Sequence, residues 1–179
     1  MTVADYFLSI SCNLLAAVVF LYFILYCLRP KIEISPYIIK VADYDNPEIN
    51  AFHFKMVNKS KHSAFDVRLE LNLLKKNTVK KGKMDTRRTP IDLKRSFISH
   101  VPRGKSDKKT QQFAPHAVIF RCLQDIESTL NDMTCLELQI TIRHGLSGLS
   151  KVFSEEFTLG SIKKGKFAYG NSLEIESLT

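Results

Sequence analysis

The sequence predicts an all-β domain, an antiparallel sandwich or barrel of about seven to eight short strands, preceded by one transmembrane α-helix. Three observations predict it: an uncharged apolar N-terminus, segments in which apolar and polar residues alternate, and turn-forming residues between them. Each alternating strand has one apolar face, and two such faces must cover each other. The expected division is a tail at 1–5, the helix at 6–28, the β-domain at 29–170 and a second tail at 171–179.

The N-terminal segment is long enough to cross a bilayer. Tyr6 to Leu28 is a run of 23 residues without a formal charge. As a helix it spans about 34 Å, against a hydrocarbon core of about 30 Å. A cleaved signal peptide is not expected, because no Lys or Arg precedes the apolar run and no A-x-A site follows it. The segment is therefore predicted to remain as a membrane anchor.

The charges that flank this helix predict its orientation. Only Asp5 precedes the helix, whereas Arg29 and Lys31 follow it. Lys and Arg close to the end of a membrane helix are retained on the cytoplasmic side. We therefore expect a single-pass protein of the cell membrane with its N-terminus outside and its β-domain in the cytoplasm. Digestion of the domain by a protease added to intact cells would reverse this assignment.

Strands are predicted wherever apolar side chains recur at every second residue. The clearest alternation runs from Phe65 to Leu73 and from Leu136 to Ile142, with a shorter one from Phe52 to Met56. The further strand candidates are 31–41, 92–101, 114–123, 151–159 and 166–175.

Turn residues fill the gaps between these strands. The segments 58–63 and 145–148 are interpreted as hairpin connections, and only 124–130 resembles a short helix.

No constellation of catalytic or metal-binding residues is visible. The segment Gly145-Leu146-Ser147-Gly148 lacks the last glycine of a nucleophile elbow and lies between two strands. The five histidines are scattered, and Cys122 and Cys135 match no zinc spacing. We interpret these two cysteines as buried thiols of a reducing compartment. The chain is therefore not expected to be an enzyme or to carry a cofactor or a metal.

The soluble part is strongly basic. From Arg29 onward it carries 26 Lys and Arg against 17 Asp and Glu, a net charge of +9. Between Lys75 and Lys109 there are 13 Lys or Arg and three Asp. Cations close to an anionic leaflet contribute about 1 kcal/mol each, although a set of solvated loops would carry the same charges. The predicted lipid contacts are Arg29, Lys31, Lys80, Lys81, Lys83, Arg87, Arg88, Lys105, Lys108 and Lys109.

Nucleic acid is not an expected partner. Phe97 is the only aromatic residue of the basic stretch, so no platform exists there on which single-stranded bases stack. No helix of the kind that reads a DNA groove is predicted either. The expected partners are membrane lipids together with a second protein or further copies of the chain.

Read in order, the soluble part resembles the C-terminal cytoplasmic domain of inward-rectifier potassium channels. Arg29-Pro30-Lys31 follows the helix as in that family, and Ser35-Pro36 falls in the next strand. Phe54 to Asn58 and Asp66 to Leu71 are similar to the following two strands. Further along, the similar segments are Leu136–Ile142, Leu146–Gly148, Val152–Phe157 and Gly165–Phe167. The register holds over about 30–60 and 134–170.

This resemblance implies an immunoglobulin-like β-sandwich, but it does not imply ion conduction. A channel needs a second membrane helix and a selectivity filter, and this chain has neither. What the resemblance does imply is contact with anionic phosphoinositides, which by position falls on Arg29 and Lys31.

Two functional hypotheses follow. The first is a non-enzymatic, membrane-anchored interaction module whose basic domain lies against the anionic leaflet and binds a protein partner or itself. The second is a sensor-effector whose β-domain binds a small anionic ligand, such as a nucleotide second messenger, and acts through the membrane helix. Salt-sensitive vesicle binding is expected from the first, and calorimetric binding of cyclic nucleotides from the second.

Overall fold

The computed structural model describes the backbone of residues 3–27, 30–79, 83–104, 114–144 and 148–176. It contains one helix, α1 (Val3–Cys27), and a β-rich remainder, so the predicted fold class is confirmed at this level. The strands are β1 (Ile32–Ile34), β2 (Ile38–Ala42), β3 (Asn50–Asn58), β4 (Ala64–Val79), β5 (Lys83–Ile91), β6 (Phe97–Val101), β7 (Ala117–Cys122), β8 (Thr134–His144), β9 (Ser150–Phe157), β10 (Ile162–Lys164), β11 (Lys166–Phe167) and β12 (Ile175–Glu176). A single 3₁₀ turn, Leu159–Ser161, is described before β10.

Helix α1 is long and apolar enough to cross a membrane. Its candidate span, Ala4–Tyr26, has 23 residues and a mean hydropathy of 2.3, and none of it is buried in the protein. A helix of a soluble protein packs its apolar stripe on a core, whereas this one exposes apolar side chains on every side. No Gly or Pro interrupts it, and it ends before Pro30, as expected for a residue that cannot continue a helix.

The first sheet is built around β3. Strand β7 pairs with one edge of β3, while β1 and β2 pair one after the other with its opposite edge. The break between β1 and β2 falls at Ser35-Pro36-Tyr37, where the proline cannot donate to a neighbouring strand. Strand β10 lies beside β2 and is parallel to it, the one parallel pair among the described strands.

The second sheet is built around β4, which has 16 residues. Strand β8 pairs with one edge of β4 and carries β9 on its far side. Strands β5 and β6 pair with the other edge of β4, β6 at its beginning and β5 at its end. A β-bulge shifts the register between Phe65 and Arg68, and Asp66 there has a φ of 48°.

The hydrophobic core lies between these two sheets. The rings of Phe54 from the first sheet and Phe157 from the second meet edge to face at 5.5 Å. Further core side chains of the first sheet are Ile38, Phe52, Met56 and Phe120, and those of the second are Val67, Leu69, Leu71, Leu136, Leu138, Ile140 and Ile142. No described residue of α1 belongs to this core. The β-domain therefore has the interior that independent folding needs.

Most predicted strands are found, but β5 and the short β10 were missed and several bounds differ. Strand β5 (Lys83–Ile91) was not predicted, because its sequence KMDTRRTPI has no apolar alternation. The candidate 92–101 shortens to β6, and the candidate 166–175 divides into the β11–β12 hairpin. The described domain continues to Glu176 through that hairpin.

Two predicted connections were wrong. The segment 58–63 is not a hairpin turn, because β3 and β4 lie in different sheets and the segment crosses between them. The segment 124–130 forms a turn over 127–129 and no helix; its Thr129 N–H donates to Ile126 O at 3.2 Å. The hairpin predicted at 145–148 does join antiparallel neighbours, β8 and β9, although residues 145–147 lie outside the described residues.

Candidate interaction surface

One end of the β-domain carries the connection to the helix, and we call it the proximal end. Pro30 is buried there, and only two residues separate it from Cys27 at the end of α1. Three Cα–Cα steps reach at most about 11 Å, so the proximal end stays close to the end of the helix. The Lys31 N–H donates to Ser60 Oγ at 2.7 Å and the Lys59 N–H donates to Lys31 O at 2.8 Å.

Asn58 fastens the loops of the proximal end to one another. Its side chain is fully buried, and its Nδ2 donates to Pro102 O at 2.8 Å and to His62 O at 3.2 Å. Its Oδ1 accepts from the Ser60 N–H at 2.9 Å. A buried carboxamide with this many partners fixes the backbone around it. The loop after β3 and the loop after β6 are therefore held side by side.

The proximal end presents exposed cations. Lys31, Lys61 and Arg103 are exposed, and the structure describes no ion pair for any of them. Lys59 differs, because its Nζ lies 3.1 Å from Glu33 Oε2.

Two further cations lie close to the same end. Arg143 forms an ion pair with Asp66, and Lys151 Nζ lies 4.5 Å from the centre of the Phe153 ring. Six cations and two carboxylates give the described part of this region a net charge of +4. The cations are Lys31, Lys59, Lys61, Arg103, Arg143 and Lys151.

The structure separates the lipid contacts predicted from the sequence into two groups. Lys31 lies at the proximal end, whereas Arg87 and Arg88 lie on β5, opposite Lys75 and Leu74 at the far end of β4. Lys83 begins β5, and only its backbone is described. Arg29, Lys80, Lys81, Lys105, Lys108 and Lys109 lie outside the described residues.

The far group lies at the base of a two-stranded ribbon, where β4 and β5 extend beyond β8. Strand β8 accompanies β4 only as far as Lys75, so 76–79 pairs with 83–86 alone. We call residues 75–79 and 83–88 the distal ribbon. Leu74, the partner of Arg88, lies ten residues along β4 from Ala64 at the proximal end, a distance of about 33 Å at 3.3 Å per residue. The distal ribbon and Lys31 therefore do not form one patch.

Arg88 is engaged within the second sheet. Its Nη2 lies 3.4 Å from Oε2 of Glu137, a buried carboxylate on the outer face of β8. Ser154 Oγ donates to the other carboxylate oxygen of Glu137 at 3.1 Å. A buried carboxylate needs such partners, so Arg88 has a structural role. Arg87 is exposed on the opposite face of β5.

The thiols of the β-domain are buried and poorly reactive. Burial raises the pKa of Cys122, and burial together with the nearby Glu156 carboxylate raises the pKa of Cys135. A raised pKa keeps a thiol protonated, and the thiolate is the nucleophilic form. Both cysteines are free, in agreement with the predicted buried thiols. Among the described residues no three His, Cys, Asp or Glu side chains are grouped to hold a metal ion.

Two larger surface cavities offer little to an anionic ligand. One of about 490 Å³ is lined by Lys40, Glu48, Asp125 and Glu127, so carboxylates outnumber cations there. Another of about 330 Å³ is lined by one cation, Lys76, and one carboxylate, Asp132, together with neutral residues. An anion needs an excess of positive charge or of hydrogen-bond donors. Neither cavity favours the anionic-ligand hypothesis.

Sequence reasoning missed Lys61 as a surface cation and did not single out Arg103. Lys61 fell in the predicted connection 58–63, and Arg103 was one of the 13 cations of the basic stretch but was not named as a lipid contact. Knowledge of the strand pairing would have placed Lys61. Because β1 and β3 are antiparallel neighbours, the end of β3 lies beside the start of β1, and the connection that follows β3 therefore lies at the proximal end.

The chain matches no protein-family model, and its sequence shows no significant similarity to a curated protein. Function must therefore be argued from the arrangement of its own residues.

Proposed function

We propose that this chain is a non-enzymatic interaction module anchored in a membrane by α1, with its β-domain in the cytoplasm and its proximal end held against the anionic leaflet. One observation supports it above the others. Three cations without a described ion pair, Lys31, Lys61 and Arg103, lie at the end of the domain that is two residues from a helix long enough to span a bilayer.

The energetics favour lipid contact at this end. Each cation close to an anionic surface contributes about 1 kcal/mol, and the interaction decays over a Debye length of about 8–10 Å. The connection to the helix reaches at most about 11 Å, so it holds the start of the domain close to this range. The residues that flank the lysine-rich segment 105–113 also lie at this end. The Gly104 N–H donates to Ser60 O. On the other side, Ala114 lies two residues before His116, whose carbonyl oxygen accepts from the Asn58 N–H.

The distal ribbon has a different place in this proposal. In a domain that hangs from its proximal end, the ribbon lies about 33 Å deeper in the cytoplasm, several Debye lengths from the leaflet. Its cations are then free for an acidic protein partner. Lys75, Lys76 and Arg87 are exposed and have no described ion pair.

The fold assigned in this proposal is an immunoglobulin-like sandwich. Strands β1 and β2 can be counted as one interrupted strand, and so can β5 and β6. Each sheet then has four strands, and one core lies between the two sheets. This arrangement supports the seven to eight strands predicted from the sequence. An experimental structure in which the two sheets close into one continuous barrel would contradict it.

Vesicle binding tests the lipid contact. The domain from Arg29 to Thr179 is expected to bind vesicles that contain phosphatidylserine, and to lose affinity as salt is added. The triple variant K31Q/K61Q/R103Q removes about 3 kcal/mol, roughly a hundred-fold in affinity, if each cation contributes about 1 kcal/mol. Circular dichroism of each protein confirms that the β-domain is folded.

Two matched triple variants complete the design. K163Q/K164Q/K166Q removes the same charge from β10 and β11 and is expected to weaken binding much less. K75Q/K76Q/R87Q removes it from the distal ribbon, and a clearly smaller loss than for the proximal triple variant is expected if the domain binds by its proximal end. Equal loss in all three variants would show attraction by net charge alone. Binding to neutral vesicles that is insensitive to salt would overturn the proposed lipid contact.

A further inference from the structure

Helix α1 carries a carboxamide near the middle of its apolar span. Asn13 lies two residues from the midpoint of Ala4–Tyr26, about 3 Å along the helix axis. Its side chain is exposed, and the structure describes no hydrogen-bond partner for it. A carboxamide has two N–H donors and a carbonyl acceptor, and hydrocarbon satisfies none of them. Because it is the only carboxamide of α1, this side chain is the helix's strongest polar group at depth.

Three of the four residues that lie three or four positions from Asn13 are small, namely Ser9, Ala16 and Ala17; the fourth is Ile10. At 100° per residue, Ser9 lies one turn before it and Ala17 one turn after it, each within about 40° of its direction. Small residues allow two membrane helices to approach closely, and a polar side chain between them then forms an interhelical hydrogen bond. Ser11 lies on the opposite face, about 160° away.

We propose that α1 associates with α1 of a second copy of this chain through mutual hydrogen bonds between their Asn13 carboxamides. This inference rests on the proposed membrane anchor and deepens the proposal that the module binds itself. A second copy is the occupant that fits best for two reasons. A carboxamide is self-complementary, since each can donate to the other and accept from it. Two copies inserted with the same topology also necessarily place their Asn13 side chains at the same depth in the bilayer. A different partner would need a polar group at that depth by coincidence.

The association has a consequence for the proximal end. Two copies held together bring two sets of the cations Lys31, Lys61 and Arg103 to one patch of leaflet. Each set is already held at the leaflet by its own helix, so association raises the density of positive charge there rather than adding a new tether. Anionic lipid beneath the paired domains would offset the repulsion between the two sets.

Energy transfer between labelled copies of the full chain in neutral liposomes tests the inference. Neutral lipid removes the contribution of the basic domain. Transfer is expected at dilute protein-to-lipid ratios for the unaltered chain. N13L is expected to raise the dissociation constant on the order of ten-fold. N13Q keeps the carboxamide and is expected to retain most of the association.

Matched changes on the helix locate the contact. S11A removes a polar group from the opposite face and is expected to leave the transfer unchanged. S9I adds bulk beside Asn13 and is expected to weaken association although the carboxamide remains. In a C12S/C27S background, S9C is expected to form a disulfide between copies far more readily than S11C.

The outcomes separate this inference from the proposed anchor. If alkaline carbonate extracts the full chain from membranes, the anchor fails and this inference fails with it. If the chain resists extraction but remains monomeric, or if N13L associates as strongly as the unaltered chain, only the helix contact is overturned.

Discussion

The ammonium group of Lys55 donates to the main-chain oxygen of Ser172 at 2.7 Å, across 117 residues of sequence. The same Nζ donates to Ala168 O at 2.6 Å and lies 5.8 Å from the centre of the Phe167 ring. Lys55 is on β3, and its side chain is almost completely buried on the outer face of the first sheet. Lys55 therefore helps to fasten the β11–β12 segment to this sheet, together with His116, whose Nε2 contacts Asn171 Oδ1. Burial, with a smaller effect of Lys59, lowers the pKa of Lys55.

Lys55→Met is expected to release the C-terminal segment. Methionine keeps most of the apolar stem but leaves two partly buried carbonyl oxygens without a donor, which costs about 1–3 kcal/mol. Faster hydrogen exchange at 166–176, with little change at β4 and β8, is the expected result for the full chain in micelles. Lys163→Met, which removes an exposed lysine of β10, is the control. Unchanged exchange in Lys55→Met would show that the segment is held by other contacts.

Gly165→Ala is expected to dislodge β12 from β11. Gly165 has a φ of +144°, and a Cβ at this position would lie 2.6 Å from Glu176 O. Strain in this region of φ costs about 1–3 kcal/mol, and the clash with the backbone adds to it. Gly160→Ala is the matched control, because the nearest atom to its added Cβ is Thr158 Oγ1 at 3.8 Å. The test is the midpoint temperature of thermal unfolding, which is expected to be lower for Gly165→Ala than for Gly160→Ala. Equal midpoints would contradict this prediction.

Arg88→Ala is expected to destabilise the second sheet, whereas Arg87→Ala is not. Removal of Arg88 leaves the Glu137 carboxylate buried with Ser154 as its described partner. Since the Arg88 side chain is 58% exposed, solvent screens part of the effect, and a loss of about 1–2 kcal/mol is expected. Glu137→Gln in the Arg88→Ala background is expected to recover part of that loss. Additive effects in this double-mutant cycle would mean that the two side chains do not interact.

The stability of the domain is expected to fall on mild acidification. Burial, and then the neighbouring His62, lowers the pKa of His144, and the two rings meet at 5.0 Å. Burial, and then Arg121, likewise lowers the pKa of His53. The unfolded chain therefore binds more protons than the folded one just below the ordinary histidine pKa of about 6.5. Stability is full above that pH and declines as the pH falls through the lowered values.

Unfolding measured between about pH 7.5 and 5 checks this. His144→Gln is expected to have a shallower dependence of unfolding free energy on pH, and His144→Gln with His53→Gln a shallower one still. His100→Gln, which replaces an exposed histidine of β6, is the control for the substitution itself. An unchanged slope in the double variant would assign the acid sensitivity to other groups.

Strands with one face on the core were predictable from the sequence, and those without were not. In β4 and β8 every second residue enters the core, so alternation marks both strands clearly. Strand β5 is the edge strand of the second sheet, and it has an exposed side chain at each position from Thr86 to Pro90. Its formation depends on pairing with β4, and this pairing does not require apolar residues at every second position of β5.

The candidate surface was only partly predictable for a related reason. Basic composition indicates attraction to anions, but it does not tell which cations lie at the same end of a domain. Lys31 and Lys61 come together because Ser60 accepts from the Lys31 N–H, 29 residues away in sequence. Arg87 and Lys31, both predicted contacts, are separated because β4 is long. The turn-forming residues of 58–63 correctly indicated a connection between two strands. They could not indicate that the next strand lies in the opposite sheet, because that depends on the packing of the whole domain.

The two-residue connection between Cys27 and the buried Pro30 has a mechanical consequence. A long flexible linker would average out any movement of the helix before it reached the domain. With α1 in a membrane as proposed, so short a connection keeps Pro30 within about 11 Å of Cys27, and the domain can sweep only a small area of leaflet around its own helix.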